Sequence, residues 1–86
     1  MVGIHRTARK HGIAEADLRH AVEHAIYAGD LEGDAPLRVF YLGPDRAGNL
    51  LEVVVIERDD GSELAIHAMK MRCRYRQLIR EARADE

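Results

Sequence analysis

The stretch that most constrains this chain is "LLEVVVIERDDGSELAIHA", residues 50–68. Residues 50–58 are apolar on both faces of an extended chain, which is the pattern of a strand covered on both sides and central in its sheet. "DDGS" at 59–62, with Asp60-Gly61 at its centre, is hairpin-turn chemistry. The return strand over 63–68 alternates, which predicts Leu64, Ile66 and Ala68 on one face and Glu63, Ala65 and His67 on the other. "LRVFYLG" at 37–43 is rich in branched and aromatic residues and reads as a further strand, joined to the central one by the turn residues "PDRAGN" at 44–49. Three strands joined by tight turns make an antiparallel meander.

Helices flank it. Residues 3–11 are expected to form a short helix stopped by Gly12. A second helix is expected over 14–28, where Leu18, Ala21, Val22, Ala25 and Ile26 follow helical spacing and Gly29 and Asp30 end the run. Glu15 and Asp17 suit the positive end of its dipole, although Ala14 is a weak cap. "DLEGDAP" at 30–36 reads as an acidic loop. The last helix is expected over about 70–84, with Met71, Tyr75, Leu78, Ile79 and Ala82 as its buried stripe. The expected fold is therefore α+β: two N-terminal helices, a three-stranded antiparallel meander and a C-terminal basic helix, in one domain over 1–86.

Composition supports a folded chain, with 47% hydrophobic and 33% charged residues. Apolar runs are no longer than "VVVI" at 53–56, far short of a membrane span, so no membrane partner is expected. "MVGIHRTARK" has no signal-peptide apolar region, and the single Cys73 leaves no internal disulfide. Both lead to the expectation of a cytoplasmic protein. The net charge of −2 conceals an asymmetry. Residues 1–13 carry Arg6, Arg9 and Lys10 with no acid. Residues 14–36 carry six acids against Arg19. Residues 67–83 carry Lys70 and five arginines against Glu81. Basic ends that converge in space would make a phosphate-binding surface, whereas separate ends are only solvated faces.

"HAVEH" at 20–24 matches the inverted zinc-protease pattern, with His20 and His24 four apart on a helix. Such a site needs a third protein ligand and a substrate cleft, for which 86 residues give little scaffold. The reading is set aside and no metal ligand is assigned.

"KHGI" at 10–13, leading into a helix, resembles the "KHGV" segment of BrnT-type toxins. "NLLEVVVIERDDGSELAIHAMK" at 49–70 is similar to their central hairpin, including the Glu57-Arg58 pair at the strand end, and a basic helix follows in both. The resemblance covers residues 8–80 in the same order. It implies a RelE-like fold and a small cytoplasmic ribonuclease, held inactive by a cognate antitoxin protein and contacting operator DNA only through that antitoxin. It also implies that neither metal nor organic cofactor is needed. Two positions depart from the family pattern: its Ser-Ala-Arg after the third strand falls on His67, Ala68 and Met69, so its arginine is absent at Met69, and a family glutamate falls near Tyr75.

Metal-free RNA cleavage requires a base for the 2′-hydroxyl proton, cations for the charge gathering on phosphorus, and an acid for the leaving 5′-oxygen. Histidine is the side-chain type that changes charge near neutrality, which nominates His67, with Glu57 and the cations Arg58, Lys70 and Arg72 completing the candidate catalytic set. Lys10, His11, Arg74 and Tyr75 are the candidate RNA contacts, Tyr75 by stacking on a base. Each has a plainer reading: His67 as a polar residue on an exposed sheet face, Lys10 and His11 as helix-end caps, Glu57-Arg58 as a surface ion pair, Tyr75 as core. The leading functional expectation is a metal-independent endoribonuclease toxin of a type II toxin–antitoxin pair. The alternative is a non-catalytic protein- or nucleic-acid-binding module of the same fold.

Overall fold

The computed structural model of the chain describes residues 2–33 and 36–84. Strand β4 (Leu50–Glu57) is central as expected, flanked by β3 (Leu37–Pro44) and β5 (Glu63–Lys70) in antiparallel register. The turns form as their residues dictate. Asp45 Oδ1 accepts from the Ala47 and Asn49 amides, and Gly48 and Gly61 take the left-handed conformation at φ +90° and +84°.

The rest of the expected layout is corrected. The sheet has five strands in the order β1-β5-β4-β3-β2, and it is mixed, because β1 (Gly3–Ile4) runs parallel to β5. No helix covers 3–11. After β1 the chain makes a 3-10 turn at Arg6–Arg9, tied to the β5 edge by the His5 amide on the Ala65 carbonyl and the Thr7 hydroxyl on the Ile66 carbonyl. Nor does a helix run over 14–28. Helix α1 (Glu15–Glu23) stops early because the Ile26 amide donates to the Leu42 carbonyl and the chain enters β2 (Tyr27–Leu31), antiparallel to β3. Part of the stretch expected as an acidic loop is thus strand, and residues 34 and 35 lie outside the described residues. At the C-terminus, Lys70 ends β5, a 3-10 turn covers Cys73–Tyr75, and α2 spans Arg76–Ala84. One α-helix lies between β1 and β2 of a five-stranded mixed sheet and one follows β5, so neither the two-helix, three-strand layout nor its RelE-like assignment stands.

The two helices cover opposite faces of the sheet. On one face Leu51, Val53, Val55, Ala65 and Ala68 pack with Leu18 and Ala21 of α1 and with Ala8. On the other, Phe40 and Leu42 pack with Ile79 of α2, supported by Tyr75, Leu78 and Met71, so most of the stripe expected for the last helix is the stripe that packs. Coverage of both faces is why β4 is apolar throughout, Glu52 and Glu57 excepted. The alternation expected along β5 breaks. Val54 pairs with His67 but Val55 pairs with Ala65, so Ile66 is the extra residue of a bulge. Ala65 and Ala68 consequently share the α1 face, while Leu64 and His67 share the other. No helix among the described residues is long and apolar enough to cross a membrane.

Candidate functional site

Glu52 sits in the middle of β4, on the α2 face, and is fully buried. A carboxylate there must be paired and hydrogen-bonded to remain charged. Arg72, in the short link between β5 and the C-terminal helix, meets that need. Its Nη2 donates to Glu52 Oε1 at 2.6 Å, its Nε lies 3.1 and 3.2 Å from the two carboxylate oxygens, and its backbone amide donates to Oε2 at 3.1 Å. His67 Nε2 makes a further bond to Oε1 at 3.1 Å. Burial pushes the Glu52 carboxyl up. The Arg72 side chain and amide, the His67 bond and the Arg72 charge outweigh it and hold the group below its ordinary range. The Arg72 guanidinium is correspondingly held more firmly protonated by its bond to Glu52.

Register explains the meeting. Val54 pairs with His67 and Glu52 with Met69, so Glu52 and His67 are diagonal neighbours on one face. Met69, where the toxin resemblance places an arginine, is the cross-strand partner of Glu52. Arg72, three residues later, supplies the guanidinium at that carboxylate instead.

Around the buried Glu52 lies an open rim. The His67 side chain is 30% exposed and that of Arg72 40%. The exposed His11 sets its ring edge-on to His67, with centroids 5.8 Å apart, because Thr7 and His5 anchor the preceding turn on the β5 bulge. Tyr75 is half-buried against Phe40 at 4.8 Å, with the guanidinium carbons of Arg72 and Arg74 at 5.7 and 5.6 Å from its ring centre. That packing makes it part of the core, with little free face for a nucleobase. Arg74 is exposed beside it, and Lys10 is exposed next to His11.

The other nominated residues do not join. Glu57 pairs in register with Glu63 at the far end of the hairpin, about 10 Å along the strand from the Val54–His67 pair, and on the opposite face. Arg58 makes no ion pair with Glu57 among the described residues; its Nε donates to Ser62 Oγ at 2.8 Å within the turn. Lys70 pairs with Leu51, which places it on the α1 face. Of the sequence-nominated residues, the fold brings together His67, Arg72, His11, Arg74 and Tyr75, with Lys10 adjacent.

The residue that sequence reasoning missed is Glu52. Its signal was present: a single carboxylate inside "LLEVVVI", in a strand whose both faces had to be covered, required a cationic partner. The histidines of "HAVEH" are occupied differently. His20 Nδ1 bonds the Pro44 carbonyl at 2.8 Å and His24 Nδ1 the His20 carbonyl at 3.0 Å, with the rings stacked at 4.1 Å. No group of three metal-ligating side chains occurs among the described residues. No protein-family model matches the chain, nor does any curated protein or solved structure.

Proposed function

We propose that the chain is a metal-independent endoribonuclease toxin of a type II toxin–antitoxin pair, acting in the cytoplasm on RNA and neutralised by a cognate antitoxin. The resemblance to BrnT-type toxins over residues 8–80 supports this reading. The observation that carries it is the pair of imidazoles, His67 and His11, 5.8 Å apart on a rim that also bears Arg72, Arg74 and Lys10. Two imidazoles at that spacing can flank one phosphodiester as base and acid. His67 takes the 2′-hydroxyl proton, and the 2′-oxygen bonds to phosphorus. The bond from phosphorus to the 5′-oxygen breaks, and that oxygen takes a proton from the His11 imidazolium. The products are a 2′,3′-cyclic phosphate and a 5′-hydroxyl, with protons and charge in balance. Arg74 and Lys10 attract the phosphate. Arg72 presents only what its bonds to Glu52 leave free.

Purified protein in excess chelator is expected to cleave RNA and leave cyclic phosphate ends. His67→Ala and His11→Ala should each slow cleavage by about 10²–10⁴-fold. Expression should arrest growth, and co-expression of the antitoxin should relieve the arrest. Intact RNA together with unaffected growth would sink the proposal. A non-catalytic binding module is the second reading. The Arg72 guanidinium favours it, since its carboxylate partner is already in place.

A further inference from the structure

We propose that Glu52 is the positioning residue of this site: its carboxylate holds His67 as the Nε2–H tautomer and leaves Nδ1 as the atom that faces substrate. The assignment rests on the ribonuclease reading only in taking that substrate to be RNA.

The argument is one of donors and acceptors. An ionised carboxylate accepts hydrogen bonds and donates none. Both Glu52 oxygens already receive Arg72 donors, so a proton on either would meet an N–H. The 3.1 Å contact between His67 Nε2 and Glu52 Oε1 is therefore made by a proton on Nε2. A neutral imidazole carries one proton, so Nδ1 holds the lone pair. Among the described residues Nδ1 has no hydrogen-bond partner, and no buried side-chain nitrogen or oxygen lacks one, so Nδ1 meets solvent. It is the nitrogen able to take a proton from a hydroxyl on the rim shared with His11. Glu52 is fully buried and does not itself reach substrate. It acts through His67, as the buried aspartate of a serine-protease triad acts through its histidine. Arg72 completes the device by keeping the carboxylate charged and fixed at two oxygens.

Long-range proton–nitrogen correlation spectra of the full chain, ¹⁵N-labelled at histidine and recorded over a pH series so that the neutral ring is read, test this directly. The expected spectrum shows His67 with a protonated Nε2 and an unprotonated Nδ1. A protonated Nδ1, or an evenly averaged pair, overturns the assignment without any variant being made. In Glu52→Gln the amide cannot offer acceptors at both positions, so the single tautomer should be lost. kcat for RNA cleavage should then fall about tenfold or more with KM little changed, because residue 52 does not touch substrate. A folded Glu52→Gln protein with an unchanged tautomer and unchanged kcat refutes the positioning role and leaves the ribonuclease reading intact. The expected tautomer in a chain that leaves RNA uncut supports the positioning and counts against the ribonuclease.

Discussion

Removing the Arg72 guanidinium leaves a buried glutamate with only the His67 bond and the residue-72 amide for company. Breaking one side of a buried pair is costly because the remaining charge is uncompensated. Arg72→Met is expected to lower stability at neutral pH, read as a lower midpoint of urea denaturation. Replacing both partners, as Glu52→Leu with Arg72→Met, should recover most of that loss, since an apolar pair needs no compensation. A double variant no more stable than the single one would show that the pair is not what Arg72 contributes. The pH dependence has a definite sign. The Glu52 carboxyl is lowered from its ordinary value of 4.5, so the folded chain binds fewer protons there than the unfolded chain. Its stabilisation is complete above that value and is lost as pH falls through the depressed one. The exposed Glu15, Asp17 and Asp60 are lowered too and weaken the fold in acid in any variant. The specific expectation is thus a difference: the gap between wild type and Arg72→Met narrows as pH falls from neutrality past 4.5 and through the depressed value below it.

Among the elements, Gly43 carries the closest approach. A Cβ there would fall on the Ala21 carbonyl oxygen and lie 3.0 Å from the Ala25 Cα, so α1 rests on β3 through a missing side chain. Gly43→Ala should cost about 2–3 kcal/mol by thermal or urea unfolding, because backbone has to move to admit the methyl. A cost below about 0.5 kcal/mol would show that the helix shifts freely. Gly29 illustrates the same physics read wrongly from sequence. It looked like a helix stop, but it is a strand residue over which the Tyr27 ring folds, and a Cβ there would lie 2.9 Å from Tyr27 Cζ. Strands β3 to β5 were legible because their composition and turns are local signals. β2 was not, since "YAGDL" has little strand character and the helical period of Ala25 and Ile26 extends into it; pairing with β3 decided the outcome. β1 makes only two register pairs, both with β5, so nothing within residues 3–11 could announce it. The same holds for the site. His67, Arg72, His11, Arg74 and Tyr75 were nominated from side-chain chemistry. Glu57, Arg58 and Lys70 were nominated from adjacency to His67 along the chain, which the pleat and the hairpin direction turn into separation.

The folded molecule redistributes the charge asymmetry of the sequence. In the acidic block, Glu15 is paired with both Arg9 and Arg19, and Asp17 with Arg46, so that segment presents less negative charge than its composition suggests. At the other end Arg72 is tied to Glu52, while Arg74, Arg76, Arg80 and Arg83 remain exposed. Among the described residues the free cations of the imidazole rim are therefore Lys10 and Arg74, and Arg72 counts for little in long-range attraction. If these two neutralise RNA phosphates, the logarithm of affinity should fall with the logarithm of salt at a slope of about −1.4, from about 0.7 per phosphate on a single strand. Arg74→Ala should make that slope shallower by about 0.7 and weaken binding similarly for all sequences, the behaviour of a phosphate contact. Arg83→Ala, at the far end of α2, should leave it unchanged. The measurement is a fluorescence titration of a short single-stranded RNA at several salt concentrations, using His67→Ala to prevent cleavage. A slope insensitive to Arg74 but reduced by Arg83→Ala would move the RNA path away from the Glu52–His67 rim and onto the outer face of α2.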